Sequence, residues 1–210
     1  MKNIPVFSTE YGVGSLILRE IPYKGIAYVK IQSSETPKEF TDECIQFCRM
    51  AGAERIFATG HDFLINYPLH TTILRMTAGN LPDTDAALIP VTEDTLPKWL
   101  EIYNDRMFSV DNAAFKDSAD GKQLLQNRNG YFIHRQDTLL GIGIAAGDTI
   151  DCVISVQPGA GKDVVLALNH ALCAEQVVLD VASTNERAIR LYEKLGFIIT
   201  QERSRWYQLL

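Results

Sequence analysis

The spacing of apolar residues in the first 78 positions predicts several strands around a single helix. Residues 26–32 and 55–59 are rich in β-branched and aromatic side chains and predict strands. Between them, Thr36-Pro37-Lys38-Glu39 combines an N-cap, a proline at the first helical position and a capping-box glutamate. Apolar residues at helical spacing and a terminating glycine follow, at Phe40, Cys44, Phe47, Cys48, Ala51 and Gly52. Residues 13–21 and 71–77 predict two flanking strands.

The segment at residues 79–84 has the turn-forming composition of a linker, with Gly79 and Pro82 among its residues. We therefore expect a smaller α+β domain at 1–78, a linker at 79–85 and a second domain at 86–210.

The second domain has a different order of predicted elements, in which successive strands are followed by alternating helices and strands. The pattern predicts a strand at 86–91, a helix at 93–107, strands at 131–134, 138–145 and 150–156, a helix at 163–174, a strand at 177–181, a helix at 186–195 and one or two strands within 197–209. An antiparallel meander followed by a βαβ unit indicates a mixed α/β fold. We expect a mixed sheet of about six or seven strands with helices on its faces.

Composition and charge exclude several classes of protein. With 46% hydrophobic and 22% charged residues, the chain of 210 residues is ordinary for a globular protein. Its 20 basic and 26 acidic residues give a net charge of −6, and no basic run is suited to a nucleic-acid backbone. No segment approaches the roughly 20 apolar residues of a membrane helix, and Glu10 and Arg19 interrupt any signal peptide. We expect a soluble, cytoplasmic protein without a membrane or nucleic-acid partner.

The cysteines and histidines do not suggest a metal site. Cys44 and Cys48, four residues apart, could ligate a metal together, but they share an apolar stripe with Phe40 and Phe47, which favours core packing. The remaining candidates are scattered without ligand spacing, at Cys152, Cys173, His61, His70, His134 and His170. We therefore assign no metal.

A glycine-containing loop at residues 158–162 lies between a predicted strand and a predicted helix. Backbone N–H groups and the positive helix end at such a place can bind phosphate oxygens. Glycine in this position also serves turn geometry alone, so both interpretations stay open. The loop is not a G-x-G-x-x-G fingerprint, because Val164 occupies the third glycine position.

The run from Asn185 to Phe197 fills every fixed position of the pattern N-x-x-A-x-x-L-Y-x-x-x-G-F. It closely resembles the C-terminal motif of the GNAT N-acetyltransferase superfamily, and the order of predicted elements over residues 86–210 resembles that family's fold. The resemblance implies acetyl-CoA as the co-substrate. It also implies that two parallel strands diverge just ahead of residue 157 and open a slot for it.

By this resemblance, several residues would hold the cofactor. The pyrophosphate would lie on the amides of Gly159, Ala160, Gly161, Lys162 and Asp163. The pantetheine arm would pair with the strand that carries Val153, Ser155 and Val156, and Asn185 would contact the cofactor. Asn185 could equally do no more than cap its helix.

Tyr192, the tyrosine of the L-Y pair, is implied to direct its hydroxyl at the sulfur of the cofactor. Amine attack on a thioester expels a thiolate, so an acid at that place makes chemical sense. N–H donors near Val153 would stabilise the oxyanion. Because Tyr192 lies on an apolar helix stripe, a core aromatic is the alternative.

The pyrophosphate loop departs from the family pattern R/Q-x-x-G-x-G/A. Matching the apolar helix positions puts Ala160 at the Arg/Gln position and Asp163 at the first glycine, whereas an ungapped match puts Gly161 and Val164 there. A carboxylate near two phosphates is repulsive unless Lys162 or a cation offsets it. The second functional hypothesis is therefore a catalytically silent module that binds an acyl-CoA or a protein partner.

The first hypothesis is an N-acetyltransferase that acts on a primary amine of a small molecule or peptide. Its general base is not marked: Asp151 and Asp180 are candidates because the family often places an acid on these strands, and either could be a structural aspartate. The N-terminal part is interpreted as a degenerate half of the same fold that packs beside the acetyltransferase domain and shapes the acceptor pocket. Dimers are common in the family, so a homodimer is compatible with the resemblance.

Overall fold

The computed structural model describes residues 5–110, 112–172 and 174–210 and divides them into two units. One unit contains the chain up to Ile73 together with residues 202–210, and the other contains residues 74–201. The first unit contains β1 (Val6–Ser8), β2 (Gly12–Ile17), α1 (Ile21–Lys24), β3 (Ile26–Ser34), α2 (Pro37–Met50), β4 (Arg55–Thr59) and a 3-10 turn at Asp62–Asn66. The second contains β6 (Ala87–Pro90), α3 (Leu96–Met107), α4 (Ser118–Asn127), β7 (Gly130–Arg135), β8 (Thr138–Ala146), β9 (Thr149–Ser155), α5 (Gly161–Asn169), β10 (Val177–Ala182) and α6 (Glu186–Lys194). Two long strands, β5 (Leu69–Ala78) and β11 (Ile198–Gln208), have residues in both units.

These units differ from the ranges expected from the sequence. The divisions fall inside β5 and β11, because the last nine residues contact the first unit, where Tyr207 pairs with Ala58. Residues 79–86 have no regular secondary structure. Independent folding of domains at 1–78 and 86–210 stays a prediction.

The two units share one connectivity. In the first unit, antiparallel β1, β2 and β3 are followed by α2 and by β4, which runs parallel to β3. In the second, antiparallel β7, β8 and β9 are followed by α5 and by β10, which runs parallel to β9. The predicted meander and βαβ unit are therefore present.

The second unit is a mixed α/β structure with helices on both faces of its sheet. On one face, α5 and α6 pack on an apolar cluster that contains Val164, Leu168 and Tyr192. On the other face, Trp99 of α3 and Leu124 of α4 pack against Ile142 and Ile154 of the strands. The fold class predicted from the sequence is confirmed.

Some predicted boundaries are wrong for local reasons. The strand predicted at 13–21 ends at Ile17, and α1 follows because Pro22 cannot donate to a strand ladder but suits a first helical turn. The helix predicted at 163–174 ends at Asn169, because His170, Ala171 and Leu172 donate their N–H groups to carbonyls three residues back. The end predicted for this helix includes Cys173, which lies outside the described residues.

We predict that Gly141→Ala destabilises the protein by roughly 2 to 3 kcal/mol. A Cβ atom at Gly141 would overlap the carbonyl oxygen of Ile154 and lie 2.6 Å from Cγ2 of Val164, at the place where α5 packs on β8. Urea denaturation followed by circular dichroism measures the change. Gly79→Ala is the matched control, since no atom lies within 4 Å of its Cβ position. Equal stability of the two variants would contradict the packing account.

Candidate active site

The parallel strands β9 and β10 separate almost as soon as they meet. Among the described residues, their register contains one pair, Thr149 with Val178, and the N–H of Val178 donates to the carbonyl of Asp148 over 2.8 Å. By contrast, the parallel strands of the first unit stay paired over five positions, from Ile26 with Arg55 to Lys30 with Thr59. Beyond Thr149, the edge of β9 that faces β10 is therefore left without a strand partner.

A cavity of about 340 Å³ lies beside β9 beyond its last pair with β10, and this size suits a small-molecule ligand. Its lining comes from β9, from the loop before α5, from the first turn of α5, and from the N-cap and one face of α6: Val153, Ser155, Gly159, Gly161, Lys162, Asn185, Arg187, Ala188, Leu191 and Tyr192. Val153 and Ser155 are two residues apart on a strand, so their side chains share the face that borders the cavity.

The start of α5 offers several unpaired donors to this cavity. Gly159 has a φ of +82°, a left-handed conformation that favours glycine and turns the chain into the helix. Within the described part of the chain, the backbone N–H groups of Gly161, Lys162 and Asp163 have no protein acceptor. Together with the Lys162 ammonium group and the helix dipole, these donors can bind an anion.

Asp163 does not border the cavity. Its Oδ1 atom accepts a contact of 2.9 Å from Nη2 of Arg135 on β7, and the same nitrogen lies 2.7 Å from Oδ1 of Asp85. The hydrogen bonds with Asp163 and then Asp85 raise the pKa of Arg135. The carboxylate expected to repel phosphates is thus paired with a cation, and no local sequence pattern links residues 135 and 163.

Two more of the predicted cofactor residues lie outside the lining. Ala160 is buried in the apolar cluster below α5, and the N–H of Val156 donates to the carbonyl of Leu140 over 2.9 Å. The remaining six, Val153, Ser155, Gly159, Gly161, Lys162 and Asn185, all border the cavity. Arg187, which the sequence analysis did not select, adds a second cation, and its helix position beside Ala188 and Leu191 is the signal that could have identified it.

Tyr192 is a buried residue that also borders the cavity. Its side chain is 8% exposed and packs against Phe197 with ring centroids 5.7 Å apart. Among the described residues, its hydroxyl group has no hydrogen-bond partner. Burial, with a smaller contribution from Cys152, raises the pKa of Tyr192 to about 12. The hydroxyl therefore keeps its proton at neutral pH and can donate it in a hydrogen bond.

Asn185 caps its helix and borders the cavity, whereas its contact with a cofactor stays a prediction. It is the N-cap of α6, where its Oδ1 accepts the N–H of Ala188 over 3.2 Å, and it also borders the cavity. Ser183-x-x-Glu186 has the sequence of a capping box, but Ser183 is not the N-cap of this helix. Asn185 precedes the first helical residue, and Glu186 instead pairs with Arg190 over 2.9 Å.

Neither aspartate considered as a general base borders the cavity. Asp180 on β10 binds Arg75 through two contacts, of 2.8 Å to Nε and 3.0 Å to Nη2. Asp151 is the extra residue of a β-bulge in β9, because Ile144 pairs with Cys152 while Ala145 pairs with Ile150. Desolvation raises the pKa of Asp151, Lys116 opposes this effect, and Asp180 adds to it. Of the two carboxylates, only Asp180 is therefore held by an arginine through two hydrogen bonds.

The described cysteines belong to the core. Cys44 and Cys48 are fully buried, and burial raises the pKa of their thiols to about 12 and about 11, respectively. Burial likewise raises the pKa of Cys152 to about 12. These thiols are protonated at neutral pH. Within the described ranges, no cluster of three or more His, Cys, Asp or Glu side chains is arranged to hold a metal ion, and no helix is long and apolar enough to cross a membrane.

We predict that Asn185→Ala lowers the free energy of unfolding by about 1 kcal/mol, because the N–H of Ala188 loses its acceptor. Asn185→Asp keeps an acceptor and should retain stability. Thr36→Ala is the control, since Thr36 is an N-cap whose side chain makes no capping hydrogen bond. Thermal and urea unfolding measure all three. A larger loss for Thr36→Ala than for Asn185→Ala would contradict the capping role.

The comparison with known proteins rests on structure alone, since no protein-family model and no curated protein matches the chain. A GCN5-related N-acetyltransferase from Sphaerobacter thermophilus superposes with a TM-score of 0.58 at 12% identity, over 93% of this chain and 75% of that one. A putative acetyltransferase from Pyrococcus horikoshii superposes with a TM-score of 0.60 at 12% sequence identity, over 95% of this chain and 69% of that one. A GNAT-family acetyltransferase from Colwellia psychrerythraea superposes with a TM-score of 0.54 at 13% sequence identity, over 97% of this chain and 83% of that one. The protein therefore has the fold of the GNAT N-acetyltransferases, as its C-terminal motif predicted.

Proposed function

We propose that the protein is an N-acetyltransferase that transfers the acetyl group of acetyl-CoA to a primary amine by direct attack. The complete motif and the GNAT fold support this proposal. The observation that carries it is the cavity beside the unpaired part of β9, whose lining includes Tyr192 and two residues with unpaired amides, Gly161 and Lys162.

The residues of the cavity fit acetyl-CoA in charge and in hydrogen bonding. The first-turn amides of α5, with Lys162 and Arg187, suit the oxygens of a pyrophosphate. The β9 edge beyond Thr149 has no strand partner there, so its backbone groups suit the amides of the pantetheine arm. In this proposal, Val153 and Ser155 lie along that arm, and Asn185 lies beside it.

The reaction forms a C–N bond and breaks a C–S bond. The neutral amine attacks the thioester carbonyl, the carbon–sulfur bond breaks, the nitrogen gives up a proton, and the sulfur leaves as a thiolate that is finally protonated to a thiol. Tyr192 serves this step as the donor to sulfur. Because its pKa of about 12 exceeds the roughly 8.5 of a thiol, complete transfer is uphill, and the hydroxyl acts chiefly by hydrogen bonding to the developing thiolate.

Asp151 is the better supported of the two candidate bases. Both carboxylate oxygens of Asp180 already accept hydrogen bonds from Arg75, so neither is free to bind an incoming amine. Asp151 is not held in this way, and its raised pKa favours proton uptake. The acceptor amine lies outside what these residues specify.

The N-terminal unit supports a second part of the proposal. Its order of three antiparallel strands, a helix and a parallel strand equals that of the second unit. We propose that it is a degenerate half of the same fold, which has kept its parallel strands paired and so has no slot between them.

The test of this function starts with thermal melting in the presence of acetyl-CoA. A ligand at about a hundred times its dissociation constant adds about 2.7 kcal/mol of stability. No shift at millimolar acetyl-CoA would reject cofactor binding. A shift without thiol release from any amine in a panel would instead support the catalytically silent module.

We predict that Tyr192→Phe lowers kcat roughly a hundredfold while the KM for acetyl-CoA changes little, because the hydroxyl group acts on the leaving sulfur. Thiol release measured with a chromogenic disulfide reports the rate. Tyr131→Phe is the matched control, as its hydroxyl donates to the carbonyl of Arg128 and does not border the cavity. Full activity in Tyr192→Phe would refute the assigned role.

We predict opposite behaviour of the two aspartate variants. Asp151→Asn should lower kcat at neutral pH and leave the melting temperature near its original value, because a base is lost and no ion pair is broken. Asp180→Asn should lower the melting temperature, because the paired Arg75 loses its partner. Rates and melting curves of both variants decide the matter. Loss of kcat confined to Asp180→Asn would reverse the assignment.

A further inference from the structure

The first turn of α5 carries a carboxylate at a place where an anion ligand would meet it. Asp163 is the third residue of the helix, where the positive end of the helix dipole attracts an acidic side chain. A carboxylate left free in this first turn would compete with a phosphate group for the positive helix end and would repel that group.

Arg135 removes this competition. It approaches α5 from the end of β7 and holds Asp163 at 2.9 Å, and it is itself fixed by Asp85, whose Oδ1 lies 2.8 Å from Nε and 2.7 Å from Nη2. The side chain of Asp163 is only 22% exposed in this pair. The amides of Gly161, Lys162 and Asp163 have no acceptor among the residues that the structure describes, and Asp163 stays out of the cavity lining.

We propose that Arg135 is a positioning residue for the anion site: by binding Asp163, it keeps the α5 amides open for the diphosphate of the cofactor. The inference rests on the proposed function for the identity of the ligand. The effect of the Arg135–Asp163 pair, however, applies to any diphosphate that binds at the start of α5. It also accounts for how this loop tolerates an aspartate where the resembled pattern has glycine. Asp85 contributes by binding the guanidinium group of Arg135 and holding it in this position.

The test compares the binding of acetyl-CoA and of inorganic pyrophosphate in four variants by calorimetry. Arg135→Gln should weaken both ligands about tenfold, because the freed carboxylate competes for the positive helix end and repels the phosphates. Asp163→Asn alone should bind as well as the original chain or up to about threefold tighter. The double variant should return to within about threefold of the original affinity.

Arg190→Gln is the matched control for net charge. Arg190 forms a comparable pair with Glu186 on α6, near the cavity but outside its lining, so its loss should change affinity less than about twofold. In turnover assays, Arg135→Gln should raise the KM for acetyl-CoA and leave kcat at saturation unchanged. If Arg135→Gln does not fold, Arg135→Lys replaces it, with a smaller loss that Asp163→Asn again restores.

Several results would overturn the inference: unchanged affinity in Arg135→Gln, a loss that Asp163→Asn does not restore, or weaker binding in Asp163→Asn alone. If the original chain binds pyrophosphate with this pattern but does not bind acetyl-CoA, the inference stands and the proposed function fails. If it binds neither ligand, both fail. If it binds acetyl-CoA and Arg135→Gln binds equally well, only the inference fails.

Discussion

The separation of β9 from β10 beyond Thr149 and Val178 is the constraint on which the rest of the site depends. Peptide groups at a strand edge need hydrogen-bond partners, and leaving them unsatisfied in a buried place costs free energy. The first unit meets this need internally, because β3 and β4 stay paired over five positions. The second unit leaves it unmet, and a cavity of about 340 Å³ lies beside the unpaired edge.

Two helices give this gap its chemistry because each is anchored by an apolar face. Val164, Val165 and Leu168 fix α5 on the sheet, so its first turn and the unpaired amides stay at the mouth of the gap. In α6, Tyr192 lies in the same apolar cluster while its neighbours border the cavity. Burial of Tyr192 therefore has two effects: it helps to hold the helix in place, and it raises the pKa of the phenol.

Local sequence patterns predicted the parts of this arrangement that are encoded within a few residues. The Asn185 to Phe197 motif identified α6, and the glycine loop marked the start of α5, because capping, turn geometry and helical spacing are short-range effects. The ion pair between Arg135 and Asp163 escaped prediction because a contact between distant positions leaves no periodic signal. The bulge at Asp151 likewise arises from pairing with β8, which the sequence of β9 alone does not reveal.

The most direct test of the open strand edge is a ¹H–¹⁵N NMR titration of the full chain with acetyl-CoA. The account predicts that the largest shifts arise at the amides of Gly161, Lys162 and Asp163 and along β9 from Val153 to Ser155, with those of β3 and β4 unchanged. Shifts confined to other parts of the chain, or none at saturating ligand, would contradict it.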